Sequence, residues 1–142
     1  MTQRALFLCT GNSCRSLMAQ YLLVALSEGE WQADSAGSHP SGQPHPLALQ
    51  VLSEIGIDAN DATSDPMTAY LDQDYDIVVT VCDNAKESCP VFPGAKRLEH
   101  WPFFDPAEAK GSTEDKLAVF RRVRDEIRER LLEFLNDAHS QG

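Results

Sequence analysis

Short apolar runs alternate along this chain with longer stretches whose apolar residues recur at helical spacing. The run Ile77-Val78-Val79 is β-branched and apolar throughout, which is typical of a strand covered on both faces of a parallel sheet. Alternating strands and helices joined by right-handed crossovers form a doubly wound α/β fold. We therefore predict a small four-stranded parallel sheet with helices on both faces, in a single domain over residues 1–142. The predicted strands cover residues 4–8, 31–35, 75–81 and 97–101.

The stretches between these runs predict the helices. Residues 16–27 and 47–55 have helical apolar spacing, and Gly56 ends the second stretch as a left-handed cap. A short helix is predicted over 67–71 and a long one over 114–136. The charges of residues 121–130 alternate in sign, which favours a solvated helix face over a partner site.

The charge balance excludes several function classes. The chain has 12 basic and 22 acidic residues and a formal charge of −10, which argues against nucleic acid and anionic membranes as partners because both attract basic surfaces. Its 142 residues, 42% of them hydrophobic, suffice for one core, and we expect a monomer. The first residues lack the apolar run of a signal peptide or membrane span, so we expect a cytoplasmic protein. Four cysteines in a reducing compartment are more suited to reactivity, burial or metal binding than to permanent disulfides.

The loop between the first strand and the first helix has the residues of an anion-binding site. Cys9 and Arg15 are separated by five residues that include Gly11, Asn12 and Ser13, which tolerate unusual backbone angles. Successive backbone N–H groups can then point inward and bind a tetrahedral anion at the positive end of the helix, and Arg15 adds a planar fork. The predicted oxyanion-binding residues are Thr10, Gly11, Asn12, Ser13, Cys14 and Arg15.

Cys9 is the predicted nucleophile of this loop. The loop donors, the helix terminus, Arg15 and the Ser16 hydroxyl all favour its thiolate, which is the attacking form of a cysteine. The alternative is a buried structural cysteine before an ordinary helix cap. The side chain of Cys14 is expected to point away from the anion and to pack.

The loop, with Asn12, Arg15 and Ser16, resembles that of the low-molecular-weight tyrosine phosphatases and of the arsenate reductases built on the same fold. The resemblance covers nearly the whole chain and is more specific for the thioredoxin-coupled reductases. It implies an enzyme that converts arsenate to arsenite, with thioredoxin as the reductant. The motifs that carry it are Ser35-Ala36-Gly37, Thr63-Ser64-Asp65, Cys82, Cys89-Pro90, His100-Trp101, Asp105-Pro106 and residues 120–127.

Two further cysteines, Cys82 and Cys89, distinguish reduction from hydrolysis. Hydrolysis of a phosphate ester needs only Cys9 and water, whereas reducing arsenic(V) to arsenic(III) needs two electrons from a thiol pair. The resemblance implies that Cys9 forms a covalent adduct with arsenate, that Cys82 attacks Cys9 and releases arsenite, and that Cys89 then attacks Cys82. Two buried core thiols or half of a zinc site are the alternatives. Zinc is disfavoured because the sequence has no C-x2-C pair or paired histidine spacing.

Asp105 is the predicted general acid. It follows the aromatic run Trp101-Pro-Phe-Phe104, which can form an apolar wall, and the resemblance implies that its carboxyl protonates the departing oxygen. A merely structural Asp-Pro turn is the alternative. Pro102 and Phe104 stand where the reductases typically have a glycine and another acid, so the resemblance does not predict the flexibility of this loop.

Some relatives bind a potassium ion beside the nucleophile loop, and the matching positions here are Asn12, Gln20, Ser35 and Asp65. Gln20 replaces the usual glutamate, and the loss of a negative charge weakens cation binding, so we expect no tightly bound cofactor. The four histidines lack metal-ligand spacing and are expected in turns or on the surface; they are His39, His45, His100 and His139.

Two other functions compete with arsenate reduction. A small phosphatase acting on aryl phosphates would use Cys9, Arg15 and Asp105. A non-catalytic redox sensor would have its Cys9 oxidised and then resolved by another thiol. Cys82 and Cys89 favour the reductase over the phosphatase, and the presence of the predicted anion-binding and acid residues argues against the sensor.

Overall fold

A four-stranded parallel sheet organises the protein. The computed structural model describes residues 3–9, 14–37, 42–70, 72–81 and 95–141, with side chains described through residue 137. Within these ranges the strand order is β2-β1-β3-β4, and every neighbouring pair is parallel. The predicted fold class is confirmed, whereas the single-domain extent over residues 1–142 stays a prediction. The strands are β1 (Gln3–Cys9), β2 (Trp31–Gly37), β3 (Ile77–Thr80) and β4 (Leu98–His100).

The register brings the carboxyl ends of the strands to one edge of the sheet. Cys9 at the end of β1 pairs with Gly37 of β2, and Leu8 pairs with Thr80 of β3. Strand β3 is shorter than predicted because Tyr75 forms only an isolated bridge with Ala95. The segments that follow β1 and β3 therefore start side by side, as expected for the functional edge of an open α/β sheet.

Three α-helices accompany the sheet in the described part of the chain, close to the predicted positions. The last is longer than predicted at both ends, and the short helix predicted over 67–71 is a 3-10 turn. Gly56, with φ of +83°, takes the left-handed conformation predicted for it after the second helix. The helices are α1 (Arg15–Leu26), α2 (Pro46–Ser53) and α3 (Thr113–Gln141), and the 3-10 turns are Met67–Tyr70 and Pro106–Glu108.

The two central strands are buried on both faces. Every residue from Ala5 to Cys9, and every residue of β3, is buried, so the alternating side chains of these strands face covered surfaces on both sides of the sheet. Helix α3 adds an apolar stripe that includes Phe120, Val123 and Ile127. Among the described residues no helix is long and apolar enough to cross a membrane.

The charged run on α3 is not entirely a solvated face, which corrects the sequence prediction. Arg124 is buried, and its Nη1 donates to the carbonyl oxygen of Val51 at 2.9 Å and to Glu54 Oε1 at 3.1 Å. Arg121 forms a second, exposed pair with the same Glu54 carboxylate. Periodicity alone did not separate these two arginines, because the difference depends on where α2 packs.

Candidate active site

The predicted nucleophile lies at the end of β1, against the first turn of α1. Cys9 is 2% exposed and Ser16 is fully buried, and the Cys9 Sγ and Ser16 Oγ atoms are 2.8 Å apart. A hydroxyl at this distance stabilises a thiolate by donating a hydrogen bond to it. Residues 10–13, which include the predicted anion-binding Thr10, Gly11, Asn12 and Ser13, lie outside the described residues.

Cys14 occupies the N-cap position of α1, and no described side chain caps this helix end. The cysteine side chain is buried and belongs to the hydrophobic core, as expected for a packing role. The helix end therefore directs backbone N–H groups towards the loop that precedes it.

Arg15 begins α1, and its guanidinium is buried. Its Nη1 donates to the carbonyl oxygen of Phe103 at 3.1 Å, and its Nη2 lies 3.5 Å from Asp105 Oδ2. Its Nε is buried and has no hydrogen-bond partner among the described residues, so one N–H donor remains available there. A buried donor without an acceptor costs free energy, and an oxyanion ligand would satisfy it.

Asp105 is brought next to Arg15, as predicted, but the aromatic wall around it is incomplete. Trp101 is buried, whereas Phe104 is 48% exposed and the Asp105 side chain is 30% exposed. The Asp105 Oδ1 atom accepts a hydrogen bond from the backbone N–H of Ala107 at 3.0 Å and so caps the 3-10 turn. The structural and the acid interpretations of this aspartate are therefore compatible.

Two of the described potassium candidates are hydrogen-bonded to each other. Gln20 Oε1 accepts a hydrogen bond from Ser35 Oγ at 2.6 Å, and Gln20 Nε2 donates to the carbonyl oxygen of Ala33 at 3.2 Å. This link between α1 and β2 is neutral, so it lacks the carboxylate charge that would strengthen cation binding. The fourth candidate, Asn12, lies outside the described residues.

Asp65, the remaining potassium candidate, has hydroxyl partners. Its Oδ2 accepts from Thr63 Oγ1 at 2.7 Å and from the Tyr70 hydroxyl at 3.2 Å. Burial, and then the negative charge of Asp65, raise the pKa of Tyr70 to about 12, which keeps this hydroxyl a donor. The described part of the chain also contains no group of three or more His, Cys, Asp or Glu side chains able to hold a metal ion.

Cys82 and Cys89, the predicted relay thiols, lie outside the described residues. The chain is described up to Val81, whose backbone N–H donates to the carbonyl oxygen of Leu8 at 2.8 Å. Residue 82 thus follows a position that is hydrogen-bonded to the strand ending at Cys9.

Two contributors to this region were not predicted from the sequence. The carbonyl oxygen of Phe103 holds Arg15, and a backbone acceptor has no signature in the side chain of its residue. His45 caps α2, because its Nδ1 accepts from the backbone N–H of Leu47 at 3.1 Å. Its ring lies 4.7 Å from that of Phe120 between centroids. A signal for this cap was present in the Pro46 that follows, since proline favours the first position of a helix.

The arrangement brings together a thiol nucleophile, a hydroxyl that favours its ionised form, a cationic fork and a carboxyl group. These groups suit attack by sulfur on a tetrahedral oxyanion with protonation of the departing oxygen. His100, by contrast, lies apart as a partner of Thr80, with its Nδ1 2.7 Å from the threonine hydroxyl.

Comparison with known proteins places this geometry in context. Residues 4–141 match the family model described as low molecular weight phosphotyrosine protein phosphatase. Over 128 residues, covering 90% of this chain and 91% of its relative, the sequence is 48% identical to a curated arsenate reductase of Halalkalibacterium halodurans.

Two solved structures are similar over nearly the whole chain. An arsenate reductase in a phosphate-binding state superposes with a TM-score of 0.78 at 30% identity, covering 96% of this chain and 98% of the other. A thioredoxin-dependent arsenate reductase of Corynebacterium glutamicum superposes with a TM-score of 0.75 at 29% identity, covering 99% of this chain and 64% of that protein.

Proposed function

Because the chain belongs to the low molecular weight phosphotyrosine protein phosphatase family, we propose that this enzyme is an arsenate reductase regenerated by thioredoxin. The single observation that carries the proposal is the contact of Cys9 with Ser16 at the start of α1, the helix that begins with Arg15, whose buried Nε has no partner among the described residues. It supports a thiolate and an available cationic donor at the same helix end. The similarity to arsenate reductases, rather than the geometry alone, supports arsenate as the substrate.

The first step is attack of the Cys9 thiolate on arsenate. A sulfur–arsenic bond forms, the bond from arsenic to one arsenate hydroxyl breaks, and the Asp105 carboxyl group donates the proton that converts this hydroxyl to water. Arg15 and the helix end favour the negative charge of the oxyanion throughout the step. Arsenic remains in the +5 oxidation state in the adduct.

The second step transfers two electrons to arsenic. Cys82 attacks the sulfur of Cys9, the sulfur–arsenic bond breaks, and its electron pair stays on arsenic, which leaves as arsenite. The Cys9–Cys82 disulfide is then attacked by Cys89, which restores the Cys9 thiolate and leaves a Cys82–Cys89 disulfide. Thioredoxin reduces that disulfide and supplies the two electrons that the cycle consumes.

A coupled assay tests the relay. Arsenite production is measured with thioredoxin, thioredoxin reductase and NADPH for the wild type and for Cys9→Ser, Cys82→Ser and Cys89→Ser, with Ser53→Ala on the exposed side of α2 as the control outside the site. We expect multiple turnovers only from the wild type and Ser53→Ala. Full multiple-turnover activity in Cys89→Ser would contradict the three-thiol relay. If turnover occurs only with glutathione or mycothiol and a glutaredoxin-type protein, that thiol system is the reductant and thioredoxin is not.

Hydrolysis of aryl phosphates is the second candidate function. It is favoured by the description of the family model and by the proximity of Arg15 and Asp105 near Cys9, since hydrolysis needs no other thiol. Cleavage of p-nitrophenyl phosphate by Cys82→Ser at a rate exceeding wild-type arsenate turnover would make phosphatase chemistry the principal activity. The reductase proposal expects the opposite order.

We propose further that the enzyme holds no cofactor tightly and acts in a reducing compartment such as the cytoplasm. The neutral link between Gln20 and Ser35 supports the first statement, and a relay of free thiols requires the second. Equal thermal midpoints in potassium chloride and choline chloride are expected. A stabilisation specific to potassium would contradict the absence of a bound cation.

A further inference from the structure

We infer that the backbone N–H and carbonyl groups of Phe103 position the Arg15 side chain. One rigid loop thereby fixes the orientation of both the Arg15 guanidinium and the Asp105 carboxyl group. The inference rests on the proposed oxyanion site. It assigns a function to backbone atoms, and it explains how a loop with Pro102 in place of the usual glycine serves the site.

The loop that carries Asp105 continues the pairing of β3 with β4 beyond the end of the sheet. The backbone N–H of Trp101 donates to the carbonyl oxygen of Thr80 at 2.8 Å, and that of Phe103 donates to the carbonyl oxygen of Val81 at 3.2 Å. Phe103 is therefore hydrogen-bonded on both sides, through its N–H to Val81, which directly follows β3, and through its carbonyl oxygen to Arg15.

The start of this loop is anchored by Trp101. Its ring centroid lies 6.2 Å from that of Phe7 and 5.6 Å from that of Phe134, and the Arg130 guanidinium carbon lies 4.3 Å from the ring centre. The indole N–H donates to Glu99 Oε1 at 2.8 Å, so the polar edge of the ring is also satisfied. Pro102 then restricts the backbone at the position between the anchor and Phe103.

The bond to Phe103 determines which edge of the Arg15 guanidinium is left for a ligand. Nη1 donates to a neutral carbonyl oxygen, which fixes the rotation of the group without neutralising its charge. The remaining edge carries Nε, which has no partner in the described ranges, and Nη2, which lies 3.5 Å from Asp105 Oδ2. An oxyanion that binds both atoms of this edge forms a bidentate pair and arrives beside the Asp105 carboxyl group. Preorganisation of this kind lowers the entropic cost of binding.

A pair of substitutions at one position separates the backbone bond from the side chain. Phe103→Pro removes the N–H that donates to Val81 and also removes the phenyl ring, whereas Phe103→Ala removes the ring alone. Binding of inorganic phosphate to each variant is measured by titration calorimetry. We expect about a tenfold larger Kd for Phe103→Pro than for Phe103→Ala, since one backbone hydrogen bond contributes on that scale. The KM for arsenate should rise by a similar factor.

Equal phosphate affinity in the two variants would overturn the positioning inference while leaving the reductase intact. The opposite result can also be distinguished. If the wild type binds phosphate and the two variants differ in Kd as expected, but the wild type makes no arsenite, the reductase proposal is overturned and the positioning inference stands.

A measurement on the wild type keeps the inference testable if Phe103→Pro does not fold. Amide hydrogen exchange at Phe103, followed by NMR without an anion, should be slow because the N–H is hydrogen-bonded to Val81. Exchange as fast as that of an exposed loop would overturn the inference. Exchange at Phe103 should be faster in Pro102→Gly than in Pro102→Ala, because glycine adds more backbone freedom. Phosphate binding should be several-fold weaker in Pro102→Gly for the same reason.

Discussion

At the scale of single residues, the site depends on the short contact between Cys9 and Ser16. The two atoms are buried and 2.8 Å apart. A hydrogen bond to a charged acceptor is worth more than one to a neutral acceptor, and the contact therefore favours the thiolate over the thiol.

Ser16→Ala is expected to lower the fraction of Cys9 present as thiolate at neutral pH. We expect kcat/KM for arsenate to fall by about tenfold to a hundredfold, which corresponds to the loss of one charge-assisted hydrogen bond. Iodoacetamide labelling of Cys9 across pH reports the thiolate fraction directly, and Ser53→Ala on α2 is the control. Unchanged labelling in Ser16→Ala would show that other groups alone stabilise the thiolate.

The sequence could predict the proximity of side chains that lie close together along the chain. Cys9, Arg15 and Ser16 belong to one loop and helix end, so a strand-loop-helix pattern was enough to bring them together. The proximity of Asp105 to Arg15 came from the resemblance instead. Phe103 was missed because its contribution is a carbonyl oxygen, which every residue type possesses.

At the scale of elements, the boundaries of α1 and α2 follow from local sequence signals. The elements against which these helices pack do not. Gly56 follows the end of α2 as the sequence predicted, whereas Pro46, which begins the helix, lies outside the predicted range. The choice of His45 as its cap depends on a position against Phe120 of α3, far along the chain. Burial lowers the pKa of His45, a nearby Asp105 opposes the shift, and Lys116 adds to it.

His45→Asn is expected to remove a pH-dependent part of the stability while keeping a capping side chain. Because the folded-state pKa of His45 is lowered, the unfolded chain binds its proton more readily. The wild type should therefore lose stability as the pH falls through the unfolded value of about 6.5, and the loss should level off once the folded histidine is protonated. Urea unfolding between pH 5 and 8 measures the difference between the two chains. A difference that is independent of pH would contradict the assignment.

At the scale of the whole molecule, α2 and α3 are joined by an arginine pair on one carboxylate. Arg124 is buried and also bonds the carbonyl oxygen of Val51, whereas Arg121 bonds Glu54 from an exposed position. The sequence placed both on a charged helix face, since a repeating charge pattern contains no information on which neighbour packs there. Tertiary packing distinguishes the two side chains.

Arg124→Ala should lower the free energy of unfolding by about 2 kcal/mol, because it leaves a backbone carbonyl oxygen and Glu54 with fewer donors and opens a gap between the helices. Arg121→Ala is the matched control one turn away and should change stability much less, since its pair is exposed. Urea denaturation of both variants is the measurement. If both variants lose the same free energy of unfolding, the buried Arg124 contributes no more to stability than the exposed Arg121.

The hydrogen bond from Val81 to Leu8 has a consequence for competition among thiols. Neighbouring strands lie about 4.8 Å apart, so the chain leaves β3 within one strand spacing of the residue that precedes Cys9. In the proposed relay Cys82 is covalently joined to Val81, so its attack on Cys9 is a reaction within one molecule. We therefore expect free thiols at millimolar concentration to compete poorly for the proposed arseno-adduct, and the identity of the reductant to matter only at the final disulfide.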